Sequence, residues 1–420
     1  MLALLTDHVL KGRQSSMKNH IEFNNRPCCL LLIICYMIIT SCVKTDDDNL
    51  KVIYPINLNR PLSVDITELI DSITYVPLQT LPSCTLGYIQ GLTYTNHCFV
   101  IKADNRLYTF SSDGRFISEI SNRGNGPNEY VNIDTYFIDN TNKIIGILCG
   151  IDNKILYYNY EGTYEYTIHI ADNDAYGIDK IEVLPDGSLL AHYNLSSLYF
   201  PTDAQYKLLT IQSGQISSTK MVDASKLNTK DMGIHPYMYY PMALYNEYLA
   251  IMPMSNIISS YNYGQMTHKY KVETRHELVT NRFVKDYWTG STPDFINQAY
   301  RSNKSPGILR IFSSDNYLFL SDNYSETIVW DGTDAIMLGN VSHSNLNIED
   351  GALVSGLADN CWGTYDAYFL LDSREKIHDS RLYGIIQNLE YDSNPVVFRY
   401  HFKKNLIDIL KKKIQGNNEI

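Results

Sequence analysis

Leu107-Tyr108-Thr109-Phe110-Ser111-Ser112-Asp113-Gly114-Arg115-Phe116 sets apolar residues at alternate positions on both sides of an Asp-Gly pair. Alternation of period two marks a strand, and Asp-Gly is a strong signal for a tight hairpin turn. The pattern returns at Ile155–Tyr164, Leu208–Ile216, Ile257–Met266 and Thr327–Thr333. The turn glycines, Gly114, Gly162, Gly214, Gly264 and Gly332, stand 48, 52, 50 and 68 residues apart. A near-constant period of this size marks a repeat architecture, which a β-sandwich does not explain.

The hairpins come after further apolar strand pairs: Leu86–Tyr94 with Cys98–Lys102, Thr135–Asp139 with Lys143–Cys149, Ile181–Leu184 with Ser188–Tyr193, and Leu309–Phe312 with Tyr317–Ser321. Four antiparallel strands per repeat is the size of a propeller blade. The expected fold is therefore all-β, a six-bladed β-propeller of four-stranded antiparallel blades. Its sixth blade is shared by the chain ends. Asp71–Leu78 pairs with Pro395–Phe402, closing the ring and removing two sheet edges. The long interval turns helical at Leu278, Phe283, Val284, Tyr287, Trp288, Phe295, Ala299 and Tyr300, which predicts a small helical insertion between blades four and five. Tyr365–Ile377 reads as another helix. A short C-terminal helix runs through Leu406 and Leu410 into Lys411–Lys413.

The first 41 residues read as a signal peptide whose better start is Met17. Lys18, His20 and Arg26 precede an apolar run from Cys28 to Ile39, short for a membrane span. Ile39-Thr40-Ser41-Cys42 has the form of a bacterial lipobox, making Cys42 the lipidated residue. Several acyl chains make a stable anchor. Residues 42–60 then form an acidic tether carrying Asp46, Asp47 and Asp48. Residues 61–404 form the propeller and 405–420 a helical tail. The expected address is the outer membrane, facing either outward or toward the periplasm, with contact to the membrane through the lipid alone.

The chain has 420 residues, 44% of them apolar, and a net charge of −11. That charge argues against nucleic acid as a partner. Tyr is abundant at 34 residues and Trp rare at 3, a composition that favours sheet. Cys84, Cys98, Cys149 and Cys361 remain outside the leader and anchor. No two have CxxC spacing, so neither a metal site nor a disulfide pairing is assigned.

Arg123-Gly124-Asn125-Gly126-Pro127-Asn128-Glu129-Tyr130 is the sharpest local signature. Its glycines and proline exclude helix or strand interior and predict an ordered, tight connection. Glu129 can accept backbone N–H groups in the turn, and Tyr130 can anchor the loop on the core. The run serves either as a structural corner or as a ligand contact.

These residues carry a resemblance. Tyr75-Val76-Pro77-Leu78, the loop at 124–130 and Asn394-Pro395-Val396-Val397 resemble motifs of the six-bladed β-propeller lipoproteins, with NHL-like blades, of glycan-consuming Gram-negative anaerobes. The resemblance covers about residues 60–404. It implies the fold and the envelope address, and no enzymatic activity. Asn125 stands where the family loop has a basic residue and Asn128 where it has glycine. Any anion contact there would fall to Arg123.

No phosphate loop, Gly-x-Ser-x-Gly elbow or His-Glu-x-x-His pair is present, so no residue is assigned a catalytic role and no cofactor is implied. Asp104-Asn105, Asp152-Asn153 and Asp322-Asn323 recur at equivalent places and read as turn chemistry. Three unusual connections leave the ring on one side: the Arg123–Tyr130 loop, His235-Pro236-Tyr237-Met238-Tyr239-Tyr240-Pro241, and the insertion with Trp288. The candidate ligand-binding residues are accordingly Arg123, Glu129, Tyr237, Tyr239, Tyr240 and Trp288. Two functions follow. One is a non-enzymatic scaffold binding a glycan, a peptide or an outer-membrane protein. The other is a polysaccharide lyase or glycoside hydrolase using His235, a tyrosine and Arg123 at the channel mouth.

Overall fold

Twenty-eight strands organise the described part of the chain. The computed structural model describes residues 50–170, 175–193, 204–212, 214–223, 241–252, 254–289, 291–314, 316–321, 326–344, 348–351 and 361–417. The N-terminal segment forms β1 (Lys51–Ile53), β2 (Leu62–Asp65), α1 (Ile66–Leu69) and β3 (Ile70–Pro77). A four-stranded antiparallel meander follows: β4 (Ile89–Tyr94), β5 (Cys98–Ala103), β6 (Arg106–Ser111) and β7 (Phe116–Ile120). The same meander recurs in β8 (Thr135–Asp139), β9 (Ile144–Cys149), β10 (Lys154–Asn159) and β11 (Tyr164–Ile170). It recurs again in β12 (Ile178–Val183), β13 (Leu189–Tyr193), β14 (Ala204–Gln212) and β15 (Gln215–Asp223), and in β16 (Met242–Leu244), β17 (Tyr248–Ile251), β18 (Ile257–Asn262) and β19 (Gln265–Val272).

The expected insertion comes next. It holds β20 (Glu277–Leu278), α2 (Asn281–Tyr287), α3 (Thr292–Arg301) and β21 (Lys304–Ser305). A further meander comprises β22 (Arg310–Ser314), β23 (Tyr317–Ser321), β24 (Thr327–Trp330) and β25 (Ala335–His343), with β26 (Ile348–Gly351) paired to β25. The chain ends with β27 (Trp362–Tyr365), α4 (Ala367–Asp372), α5 (Ser380–Ile386), β28 (Val396–Phe402) and α6 (Leu406–Asn417).

The two chain ends meet as the alternating pattern predicts. β28 runs antiparallel to β3, with Val397 opposite Val76 and Tyr400 opposite Ile73. β27 completes that three-stranded sheet. Part of the segment assigned to the tether also enters the fold. β1 lies parallel to the outer strand β19 and β2 lies parallel to the outer strand β25. Residues 51–77 thus lie along three outer edges in turn, sealing unpaired backbone groups.

Core clusters form between neighbouring sheets. Val76, Leu78, Trp362 and Val397 of the closing sheet and its exit pack against Leu92, Phe99, Ile101 and Phe110 of the first meander. Val100 and Leu107 of that meander pack against Ile145, Ile147, Leu156 and Tyr158 of the second. Middle strands therefore lose the clean in–out alternation seen in a one-sided sheet. Phe99, Val100 and Ile101 are all fully buried, because a sheet lies over each face. This face-to-face stacking of twisted meanders makes the fold all-β and propeller-like.

Two turn glycines show how successive sheets lock. Gly114 has φ +86°, and a Cβ there would overlap the carbonyl oxygen of Pro77 at the end of β3. Gly162 has φ +78°, and its Cβ would lie 2.5 Å from Ser118 Oγ on β7. The hairpin tip of one meander thus sits against the outer strand of the sheet before it, at a distance only glycine permits.

Candidate functional site

The Arg123–Tyr130 loop is built from its own backbone inward. Arg123 and Tyr130 form a bridge, with Gly124 N–H donating to Tyr130 O (3.0 Å) and Tyr130 N–H to Asn122 O (3.0 Å). Tyr130 is fully buried and donates its hydroxyl to Ile120 O (2.9 Å), anchoring the loop as expected. Glu129 accepts from Gly126 N–H (2.8 Å), so its carboxylate is engaged within the turn. Neither Gly124 nor Gly126 has positive φ. A Cβ on Gly124 would overlap Glu129 Oε2 and push that exposed carboxylate out of the turn. The second meander braces the loop through Lys154 Nζ on Gly126 O (3.2 Å) and Thr167 Oγ1 on Pro127 O (3.4 Å). Lys154 is itself buried and paired with Asp152 at 3.0 Å. Arg123 remains exposed at the rim of this rigid frame, with no ion pair to a described residue.

Asp104-Asn105 acts through turn chemistry. Both residues have positive φ, 51° and 60°, in the two-residue turn between the paired Ala103 and Arg106. The Asn105 side chain then accepts from Ile133 N–H (2.7 Å), bracing the chain just after the loop. Asn153 also has positive φ, at 48°. Asp322-Asn323 lies outside the described residues.

The insertion is a small helical unit with its own core. Thr280 and Ser291 cap α2 and α3 by accepting from Phe283 N–H and Asp294 N–H. Val279, Val284, Phe295 and Ala299 are buried together with Met254, and Phe283 and Trp288 pack on them. Trp288 is half-buried, 5.8 Å from Phe295 in an edge-on contact. Tyr287 and Tyr300 are exposed on the same insertion. Trp288 is thus both a packing residue and an accessible ring. Tyr237, Tyr239, Tyr240 and His235 lie outside the described residues, as do Cys42 and the leader.

A groove of 890 Å³ opens where the two chain ends meet. One wall is the extended Pro77–Thr85 segment, with Pro77, Leu81 and Pro82. The other is the exposed side of α5 and the turn after it, with Arg381, Ile385, Leu389 and Glu390. Asn394 ties the two together. It is buried, its Oδ1 accepts from Leu86 N–H (2.7 Å), and its Nδ2 donates to Gln79 O (2.8 Å) and Cys84 O (2.9 Å). Under α5, Tyr75 donates its hydroxyl to Asp379 (3.1 Å), the N-cap of that helix. Burial and the Asp379 carboxylate hold the Tyr75 hydroxyl protonated far above its ordinary range. Sequence reasoning missed this groove, although the Tyr75–Leu78 and Asn394–Val397 motifs that frame it were visible.

Among the described residues no three His, Cys, Asp or Glu side chains stand together as a metal site. The four described cysteines are buried and form no disulfide with one another. Burial pushes the Cys84 thiol up to about 11, opposite to what a nucleophile needs. Among the described residues no helix is long and apolar enough to cross a membrane.

Comparison with known proteins bears on fold and kinship. A Bacteroides fragilis NCTC 9343 protein, labelled as an exported one, is similar with a TM-score of 0.62 at 16% identity, covering 84% of this chain and 100% of that chain. A DUF4221-family member from Bacteroides vulgatus ATCC 8482 is similar at a TM-score of 0.43 and 9% identity, over 80% of this chain and 97% of that one. A streptogramin B lyase follows at a TM-score of 0.37 and 11% identity, over 66% and 75%. No curated protein matches the sequence. Residues 52–401 match the family described as "Domain of unknown function (DUF4934)", and the chain belongs to that family.

Proposed function

We propose that this protein is a cell-envelope lipoprotein whose propeller has six blades and serves as a non-enzymatic binding scaffold. The β3–β28 pairing supports ring closure by the chain ends. The label of the Bacteroides fragilis relative supports export. Lipidation at Cys42 would hold the chain at the outer membrane, with the signal peptide at 1–41 removed.

The observation that carries the binding role is the build of the loop side. The Arg123–Tyr130 loop is a hydrogen-bonded frame braced by the next meander, and it holds Arg123 outward with its guanidinium unpaired among the described residues. Pre-organised loops lose little entropy on binding. The insertion adds accessible rings at Trp288 and Tyr287. Aromatic faces suit sugar rings and protein partners alike. The partner is a glycan or an outer-membrane protein.

The test is a glycan array together with pull-down from outer-membrane extract, using wild type and an Arg123→Ala/Trp288→Ala double mutant. The double mutant should bind at least several-fold more weakly, at about 0.5–1.5 kcal/mol per lost aromatic contact. Equal binding by both would remove this face from the account. Cleavage of a bound glycan would replace the scaffold with a lyase or hydrolase. In cells, Cys42→Ala should release the protein from the membrane fraction.

A further inference from the structure

A cavity of 480 Å³ lies at the other end of the sheets. In an antiparallel meander the first–second and third–fourth turns share one end, and the second–third turn and the outgoing connection share the other. The cavity is formed by the β16–β17, β22–β23 and β24–β25 turns together with residues 404–408 at the start of α6. It is therefore independent of the loop side.

Its rigid part is aromatic. Tyr317 is buried, donates its hydroxyl to the Lys403 and Lys404 carbonyls (2.9 and 2.8 Å) and accepts from Leu406 N–H (3.1 Å). Tyr245 donates to Asn316 O at 3.3 Å, joining two of the turns. Both phenol groups are thus held by backbone.

Apart from the buried Ile407, the rest of the lining is polar and mostly exposed. Asn246, Asn316, Asp331, Lys404, Asn405 and Asp408 line the cavity. Asp331 Oδ1 accepts from Thr333 N–H and Asp334 N–H (2.8 Å each), which fixes the carboxylate and leaves Oδ2 open. The side-chain termini of the other five have no hydrogen-bond or ion-pair partner among the described residues. Lys411 pairs with Asp334 at 2.6 Å and acts on Asp331 and Asp408 only through its field, without contact to either. Asn246 sits at φ 57°, a backbone conformation asparagine tolerates, so its turn is defined.

Five of these six groups end in a planar amide or carboxylate. Each offers two neighbouring polar atoms, a geometry suited to adjacent hydroxyl groups, while a phenol ring offers a face to C–H bonds. Asp331 and Asp408 disfavour an anion. A hydrocarbon ligand would strip water from the polar set without replacing its hydrogen bonds. The volume lies within the range of small-molecule sites. From this we infer that the cavity binds an uncharged polyhydroxylated ring, a neutral sugar either free or at the end of a longer chain.

The test is saturation-transfer NMR and calorimetry on the full protein, with neutral hexoses, N-acetylhexosamines, a uronate, calcium ion, and oligosaccharides ending in each neutral sugar. At least one neutral sugar should bind. Asn316→Ala and Asp408→Ala should each weaken it, by about tenfold for the charged group, with the thermal melt unchanged. Tighter binding of the oligosaccharide than of its terminal sugar assigns the chain end. Equal or weaker binding assigns the free sugar. The inference is overturned if no neutral sugar binds, if the uronate binds better, if both variants bind as wild type does, or if calcium alone occupies the site.

Discussion

His343 shows how one buried side chain sets a pH response. It ends β25 with only 5% of its surface exposed, and neither ring nitrogen has a hydrogen-bond partner among the described residues. Its ring lies 6.0 Å from Tyr400, whose hydroxyl is paired with Tyr365 at 3.2 Å and pushed up to about 12 by burial. Asp65 from the N-cap of α1 and Asp379 from the N-cap of α5 are the carboxylates that act on it. Burial outweighs their attraction and holds the imidazole below its ordinary value of 6.5. The unfolded chain then takes up a proton as pH falls below 6.5 while the folded protein does not, so stability is full above 6.5 and declines below it. The slope for one proton is bounded by about 1.4 kcal/mol per pH unit. Asp65, lowered to about 2 despite the burial that opposes it, acts in a separate window. Hydrogen bonds from Thr67, Ser344 and Ser342 hold it there, so its contribution is lost only as pH falls from 3.8 toward 2. Urea unfolding between pH 7.5 and pH 5 should show the histidine slope in wild type and its loss in His343→Leu. A variant slope equal to that of wild type would assign the response to other groups.

At the scale of elements, Asn394 joins its own strand entry to the 79–86 segment, about 310 positions away in sequence. Replacing it with Ala leaves Cys84 O without its partner in a buried setting and Leu86 N–H and Gln79 O without theirs in part-buried ones. Each unsatisfied group costs about 1–3 kcal/mol. Asn394→Ala should therefore destabilise the protein by on the order of 3 kcal/mol and loosen the Pro77–Thr85 wall of the groove. Hydrogen exchange should show faster exchange at Leu86 and around Cys84, while the β8–β11 meander stays protected. Uniformly faster exchange across both regions would mean that Asn394 supports the whole fold and not this corner alone.

For the whole molecule, closure at the β3–β28 seam determines whether the chain folds at all. Val396, Val397, Phe398 and Tyr400 are buried in clusters that also contain residues of β3, β23, β24 and the α5 helix. Leu406, Ile407 and Leu410 of α6 add to the same core. Removing residues 395–420 would expose both β3 and β27 as edges and open that core to water. No soluble protein should be recovered. Removing only the residues after 417 should leave expression and melting temperature unchanged. Soluble, cooperatively melting protein from the long deletion would show that the seam is dispensable.

The sequence by itself determined the hairpins, their period, the pairing of the chain ends and the helical insertion. Alternation, Asp-Gly turns and helical spacing are local signals, readable a few residues at a time. The anchoring role of Tyr130 was equally local, ten residues from the Ile120 carbonyl it reaches. Only the tertiary structure decided that Glu129 spends its carboxylate inside its own loop. It also decided that residues 51–65 run along the outer edges of two meanders. The groove at Asn394 and the cavity at Asp331 join residues some 300 and 160 positions apart along the chain. Nothing in the local pattern of either partner encodes such a meeting, because it depends on how the stacked sheets bring their turns together in space.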